Sequence, residues 1–468
     1  MKNSQLWEVL SALSTKDRKY FGRWVRSPFF NRNERLIRLL EYLEDCLSAS
    51  SLPHPSQAKR RVFIHKDQPS DSLLRVAVSD LYKQLESYLV FQERAGSEAS
   101  FQLDLGRAYR KRGLARHFQK AIKKAEAARE HHPHRHAEYL ENRFAVAFER
   151  YQEKSAGERV ADFNLQQLSD FADTAFIAQK LRLSCIALSH QTVYKADYDL
   201  GMLSAVLSEV ERRGLHQLPA IGLYYFGYRL MAEPDEEQHF ARLKTMLLHQ
   251  SGKLPADEQR NLCLMALNYC IKKVNALSEQ YYREAFDLYK FAVQQALLFE
   301  NGQLSHFAFN NIVAIALKVG EVDWSDQFIQ AYAPQLEGKH RSSTVHLNLA
   351  RVAYARRDYD RALMHLQGAD YKDRINNLIA KVLQLKIFYE LQEYDLVDAL
   401  LNALTTHIRR QRVMGYHRTN YLNMARYTRA LLHLTPGDDR ERELLRQNIE
   451  SERILTEKEW LFSMLSQA

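Results

Sequence analysis

Two stretches in the C-terminal half of the chain decide the fold: LARVAYARRDYDRALMHL (Leu349–Leu366) and LQLKIFYELQEYDLVDALL (Leu383–Leu401). Each begins with an apolar stripe at helical spacing, continues through a short polar break, and then opens a second stripe with Asp-Tyr-Asp or Glu-Tyr-Asp. Tyr359 and Tyr394 occupy the same place in the two stretches, 35 residues apart. A recurring helix–turn–helix unit of about 34 residues predicts helix pairs that stack on one another.

Side-chain size supports this pairing. Ala350 and Ala362 are small at positions where two helices must approach closely. Tyr359 begins the second helix, and the flanking Asp358 and Asp360 favour its N-terminus. In the second stretch Val397 takes the place of Ala362. These positions resemble the tetratricopeptide repeat, and the resemblance implies a right-handed α-solenoid that binds a protein or peptide in its concave face.

The same theme extends along the chain. Tyr282, Val322, Tyr359 and Tyr394 stand at successive spacings of 40, 37 and 35 residues, and Asp197-Tyr198-Asp199 carries an earlier copy. Residues 234–250 provide a helix for the intervening unit. We therefore predict a helical-repeat solenoid over residues 100–468, closed by a solvent-facing capping helix over residues 438–465.

The first 95 residues do not share the repeat and are expected to form a separate N-terminal helical module. Asn31 or Asn33 can cap its Leu-rich third helix, and Ser70 or Asp71 the long helix that follows. LSTKDRKYFGRWVRSPFFNRNERLIRLLEYL followed by LLRVAVSDLYKQLESYLVFQE is similar to the N-terminus of a group of uncharacterised bacterial proteins. The group implies a long helical tail but no activity.

Composition favours a nearly all-helical, all-α protein, since only 16 Gly and 10 Pro occur in 468 residues. Four scattered cysteines do not make a disulfide framework and indicate a reducing compartment. The first residues make a poor signal peptide, and no apolar run of about 18 residues occurs that would span a membrane. We expect a cytoplasmic protein without a membrane span.

Motifs of common enzymes and cofactor sites are absent from the sequence, which has no Gly-rich phosphate loop, His-Glu-x-x-His or Cys-x-x-Cys. Cys185 lies in an apolar helix and is interpreted as core. The run HHPHRH, residues 131–136, could bind Zn or Ni, but a solvated loop explains it better because Pro133 splits it and no carboxylate stands at ligand spacing. We predict no catalytic residue, no metal and no cofactor.

Charge is concentrated at one end. Residues 1–150 contain 28 Lys and Arg against 18 Asp and Glu, a net charge of +10, whereas the whole chain carries +9. Nucleic-acid binding is therefore the alternative function. Its candidate contacts are Lys59, Arg60, Arg61 and Lys66, and the run Arg110, Lys111, Arg112, Arg116, Lys120, Lys123 and Lys124.

The candidate peptide-binding residues follow from the repeat. In tetratricopeptide repeats the first helix of each unit lines the concave face. The resemblance places on that wall Asn310, Lys318, Arg351, Tyr354, Lys386 and Tyr389, together with Leu347 and Val382. Arg and Lys pair with carboxylates and Tyr packs on apolar groups, so this wall suits an extended acidic peptide.

Overall fold

The computed structural model describes residues 1, 3–64, 69–157, 163–194, 196–275, 278–368, 373–410, 415–435 and 437–467. About 80% of the chain is helical. Two strands of two residues each, β1 (Phe299–Glu300) and β2 (Gln303–Leu304), form a small antiparallel hairpin. The expected all-α fold class is confirmed.

Residue contacts divide the chain into two compact units, Met1–Lys180 and Leu181–Ala468. The helices of the first unit are α1 Gln5–Ala12, α2 Thr15–Arg26, α3 Glu34–Ser48, α4 Pro55–Val62, α5 Asp71–Gly96, α6 Glu98–Arg110, α7 Ala115–His131 and α8 Ala137–Gly157, followed by α9 Leu165–Tyr194, within which the division falls. A hydrophobic cluster within this unit draws only on residues of α1–α5 and their connections, from Leu6 to Tyr88. The N-terminal module over residues 1–95 lies inside the first unit and, as a separate module, remains a prediction.

Side-chain caps set the helix starts in this region. Asn33, rather than Asn31, caps α3 by accepting a hydrogen bond from the Arg35 backbone N–H at 3.1 Å. Asn31 is buried instead, and its amide donates to the Val25 carbonyl at 2.9 Å. Ser70 caps α5 through the Leu73 N–H at 3.4 Å. Each cap satisfies a backbone donor that the first helical turn leaves unpaired.

The joint between α2 and α3 is built from aromatic side chains. The indole of Trp24 stacks on Phe30 with ring centroids 3.6 Å apart, and its N–H donates to Gln84 on α5 at 3.0 Å. Phe29 makes an edge contact with Phe30 and is otherwise exposed. Of the two phenylalanines, it is therefore Phe30 that packs against α2.

The second unit consists of helix pairs joined by short turns. Its further helices are α10 Leu203–Arg213, α11 Pro219–Ala232, α12 Glu237–Gln250, α13 Ala256–Asn275, α14 Gln280–Gln294, α15 His306–Lys318, α16 Val322–Tyr332, α17 Gly338–Ala355, α18 Tyr359–Gln367, α19 Arg374–Glu390, α20 Tyr394–Arg410, α21 Gly415–Leu432, α22 Asp439–Ser451 and α23 Lys458–Leu465. Three single 3-10 turns stand at Leu215–Gln217, Ser251–Lys253 and Ala333–Gln335.

In the second unit, the two helices of a pair pack against each other. Helices α11 and α12, α13 and α14, α15 and α16, α17 and α18, and α19 and α20 contact each other as neighbours. The first helices of successive pairs also touch, since α15 contacts α17 and α17 contacts α19. Such packing is compatible with a helical-repeat fold.

Most of the predicted starts of second helices match the structure. Helices α16, α18 and α20 begin at Val322, Tyr359 and Tyr394, and α14 begins two residues before Tyr282. The copy of the motif at Asp197-Tyr198-Asp199 does not begin a helix. Tyr198 lies in a segment without regular secondary structure, and α10 begins only at Leu203. There the Asp199 carboxylate accepts a hydrogen bond from the Gly201 N–H at 2.8 Å, which favours a turn over a helix.

The closing segment is also different from the prediction. A single capping helix was expected over residues 438–465, but two helices, α22 and α23, are separated by an irregular connection, residues 452–457. The last helix is not solvent-facing, because Trp460, Leu461 and Leu465 are buried in a cluster with side chains of α20 and α21. Among the described residues, no helix combines the length and the apolar character needed to cross a bilayer.

Candidate functional site

Four of the six predicted peptide-binding residues line one cavity. Lys318 lies at the end of α15, Arg351 and Tyr354 on α17, and Lys386 on α19, and all four face a space of about 460 Å³. The three helices belong to successive pairs, so their equivalent faces bring together residues far apart in sequence. Three cationic side chains and a tyrosine thus line one cavity.

Lys386 is the most enclosed of the cations. Its residue is only 9% exposed, and its Nζ lies 4.6 Å from the centroid of the Tyr354 ring. The same ammonium group donates a hydrogen bond of 2.7 Å to a carboxylate oxygen of Glu457. A lysine this buried requires a partner, and here an aromatic face and a carboxylate supply it.

The side chain of Arg351 is hydrogen-bonded to residues of α15 and α17. Its NH1 donates to the backbone carbonyl of Asn310 at 3.2 Å and to the side-chain oxygen of Asn348 at 3.1 Å. These bonds fix the position of the guanidinium at the cavity wall. The positive charge of Arg351 also acts on Glu457 across the cavity.

Lys318 also lines the cavity and is the more exposed of its two lysines. Its Nζ lies 6.0 Å from the centroid of the Tyr282 ring and pairs with the carboxylate of Glu459. Burial on its own would lower the pKa of Lys318, but the hydrogen bond to Glu459 and the nearby charge of Glu457 outweigh it and raise the pKa. The ammonium form is therefore favoured.

A carboxylate of the same chain lies within this cationic site. Glu457, in the connection between α22 and α23, lines the cavity together with Thr456. Burial favours its neutral acid, yet the charges of Lys386, Lys318 and Arg351 prevail and hold the pKa of Glu457 below its usual value. The site is thus electrostatically suited to a carboxylate and already contains one.

Asn310 and Tyr389, the other two predicted residues, lie apart from the cavity wall. Asn310 is buried and hydrogen-bonded on both sides, since it accepts from the Asn348 amide at 2.6 Å and donates to Asn376 at 2.9 Å. The three asparagines link α15, α17 and α19. Tyr389 packs edge-on against Trp460 at 5.4 Å. Peptide contact by these two residues remains a prediction without support from the cavity geometry.

Leu347 and Val382 have different positions as well. Leu347 is fully buried in a cluster formed by α17, α18 and α19. Val382 is buried but forms part of the cavity lining. Of the two apolar positions, only Val382 contributes to the site.

A carboxylate hub supports the tyrosine of the site. Glu390 accepts hydrogen bonds from the Tyr354 hydroxyl, from the Tyr359 hydroxyl at 2.5 Å and from the Trp460 indole N–H at 2.7 Å. Tyr359 opens α18, and its hydroxyl bonds this carboxylate at the end of α19, the first helix of the next pair. The hydrogen bond to Glu390 positions the Tyr354 ring, which the Lys386 ammonium group contacts.

The repeat pattern did not assign Tyr282, Tyr421 or Glu457 to the wall, although all three line the cavity. Tyr421 lies on α21, after the last repeat pair, and burial raises the pKa of its hydroxyl to about 12. Tyr282 lies on a second helix, outside the rule that first helices line the wall. Glu457 had no signal in sequence, because only tertiary packing returns the end of the chain to helices α15–α19.

The histidine run and the cysteines keep their structural interpretation. His132, His134 and His136 lie near one another with ring centroids 5.2–6.0 Å apart. In the described part of the chain, no group of three or more His, Cys, Asp or Glu is arranged to hold a metal ion. All four cysteines are buried and free, and burial raises the pKa of the Cys263 thiol to about 12.

The basic residues of the first unit fall into two groups. Lys59 pairs with Asp71 at 2.5 Å and Arg61 pairs with Asp45, while Lys66 lies outside the described residues. The second group lies at the end of α6 and along α7. Its side chains are exposed, and no ion pair joins them to any acidic residue that the structure describes: Lys111, Arg112, Arg116, Lys120, Lys123 and Lys124.

Comparison of the chain with protein-family models, with curated proteins and with solved structures gives no match. The class that the fold defines is an all-helical protein built of neighbouring helix pairs. We therefore infer function from the geometry of the site.

Proposed function

We propose that the chain is a non-catalytic scaffold for protein–protein interaction. In this proposal the helix pairs form a right-handed solenoid like that of tetratricopeptide repeats, and its concave face holds a protein or peptide segment without any cofactor. The observation that carries the proposal is the convergence of Lys318, Arg351, Tyr354 and Lys386 on one cavity. We place the protein in the cytoplasm, and its four free cysteines support a reducing compartment.

The chemistry of the cavity supports a peptide with carboxylate groups. Cations that are partly withdrawn from water form stronger pairs with carboxylates than exposed cations do. Tyr354 and Val382 add apolar surface beside them. A few polar groups converging on an otherwise apolar wall are typical of a site that fixes the orientation of a ligand.

The experiment compares capture of proteins from a lysate of the source organism by three forms of the chain. Lys318→Gln with Lys386→Gln removes two cavity charges without introducing like charges beside Glu457. The matched control, Lys253→Gln with Lys339→Gln, removes two exposed charges elsewhere in the second unit. Captured proteins are quantified by mass spectrometry.

We expect at least one protein to be captured by the wild type and the control but lost, by about tenfold or more, from the cavity variant. Circular dichroism and thermal melting verify that all three forms are folded. Identical capture by the folded cavity variant and the control would exclude this cavity as the interaction site.

Nucleic-acid binding is the second candidate function. It is favoured by the exposed cations of α7, where Arg116, Lys120 and Lys124 recur at helical spacing on one face. Phosphate contacts need little more than such a charged face. Because this face belongs to the first unit, the candidate can be tested independently of the cavity.

A further inference from the structure

We propose that Glu457 is an intramolecular substitute for a carboxylate side chain of the partner. In this inference, which rests on the proposed function, an acidic peptide segment displaces Glu457 and places its own carboxylate among Lys318, Arg351 and Lys386. The partner class is thereby narrowed to segments that present an Asp or Glu side chain to the cavity.

The contacts of Glu457 are those expected of a bound ligand. Its carboxylate accepts the 2.7 Å hydrogen bond from Lys386, and it also interacts electrostatically with Lys318 and Arg351. These three cations come from three different helices, while Glu457 comes from the connection near the C-terminus. The ion pair therefore bridges 71 residues of sequence rather than neighbouring turns.

The position of Glu457 between two neighbouring cavities supports the same inference. Two cavities, of about 460 and 520 Å³, share Tyr282, Lys318 and Glu457 as lining residues. Glu457 thus lies between two spaces rather than at an outer rim. An extended peptide whose carboxylate replaced that of Glu457 would have room on both sides.

The backbone of Glu457 is strained. Its φ is 57° and its ψ is 29°, the left-handed region that a residue other than Gly, Asn or Asp occupies at an energetic cost. Residues held in this region often belong to ligand-binding or switch sites.

Displacement of Glu457 does not require unfolding of the C-terminal helix. Helix α23 is anchored by the buried side chains of Trp460, Leu461 and Leu465. The preceding connection is held separately, because the Asn423 amide donates to the Ile454 carbonyl at 2.9 Å. The Glu457 side chain itself is 31% exposed, so a competing carboxylate can approach it from solvent.

The test measures binding of a dye-labelled peptide with the sequence ERILTEKE, that of residues 452–459, by fluorescence anisotropy. Glu457→Gln vacates the charge site and retains the size of the side chain. Glu443→Gln, on the exposed surface of α22, makes the same change of net charge and serves as the control. A second variant, Glu457→Asn, tolerates the left-handed backbone and covers the case in which Glu457→Gln is unstable.

We expect Glu457→Gln to bind the peptide about tenfold more tightly than the wild type or Glu443→Gln, because an amide competes for the three cations less well than a carboxylate does. A peptide with Gln at the position of Glu457 should lose this gain. Adding Lys386→Gln to Glu457→Gln should also abolish it. Melting curves verify that each variant is folded.

Equal affinity of the wild type and both Glu457 variants, or no binding by any of them, would overturn the inference. That failure is separate from failure of the proposed function. If lysate capture still depends on Lys318 and Lys386, the cavity binds a partner but Glu457 does not imitate it. If capture is independent of both lysines, binding of a partner in this cavity is excluded as well.

Discussion

Buried alanines set the distance between α17 and α18. Ala350 and Ala362 are fully buried and belong to one cluster with Leu347 and Leu366. A methyl group at each position allows the two helices to approach closely, and interiors packed at this density have no room for a larger polar group. The repeat positions therefore have a direct physical role in the pairing.

Ala362→Asp should destabilise the second unit by roughly 3 kcal/mol or more, since a carboxylate would be buried without a partner. Denaturant-induced unfolding monitored by circular dichroism measures the change. On the same helix, Met364 is 59% exposed, and Met364→Asp should alter stability little. A folded Ala362→Asp variant with unchanged unfolding would contradict the packing of α17 against α18.

Helix α23 packs against side chains of α19, α20 and α21. Its Trp460 is buried, donates its N–H to Glu390 at 2.7 Å and packs against Tyr389. Lys386 also lies 5.8 Å from the centroid of the Trp460 ring. This short helix thus contributes to the core and supports the cavity wall.

Trp460→Ala should lower the free energy of unfolding of the second unit by roughly 3–5 kcal/mol, the usual range for removal of a buried large aromatic side chain. Thermal melting provides the measurement. Leu444→Ala on α22, where the leucine is 60% exposed, is the control and should have a small effect. Similar losses for the two variants would argue against a core role for α23.

Charge is distributed unevenly over the whole molecule. The first 150 residues carry a net charge of +10, whereas the whole chain carries +9, so the remaining residues are close to neutral. Several of their cations are paired, such as Arg107 and Arg110 with the buried Glu149. The exposed group at α6 and α7 is the part of the basic region best placed for a polyanion.

Replacing Lys120, Lys123 and Lys124 with Gln should weaken binding to a duplex DNA of about 30 base pairs, if the chain binds it, and should reduce the slope of log K against log salt by about 3. The control replaces the exposed Lys253, Lys272 and Lys339 with Gln. Gel shifts at a series of salt concentrations provide both quantities. Absence of retardation at low salt for the wild type would eliminate the nucleic-acid candidate.

Local sequence determined the elements of the repeat region. Helical periodicity and the polar breaks predicted the starts at Val322, Tyr359 and Tyr394, because a helix N-terminus depends on residues within one or two turns of it. The repeat resemblance also predicted that Lys318, Arg351, Tyr354 and Lys386 would share a wall. The structure brings these four to one cavity.

Only the tertiary structure decided what else surrounds that cavity. Asn310 was expected at the wall, but its amide is used by Asn348 and Asn376 on the adjacent helices. Glu457 is separated from Lys386 by 71 residues, and no periodicity connects them. A contact of this kind depends on how α23 packs against the preceding helices, which is a property of the assembled core. The sequence by itself therefore determined most helix starts of the second unit and four residues of the wall, whereas tertiary packing decided which carboxylate lies among its cations.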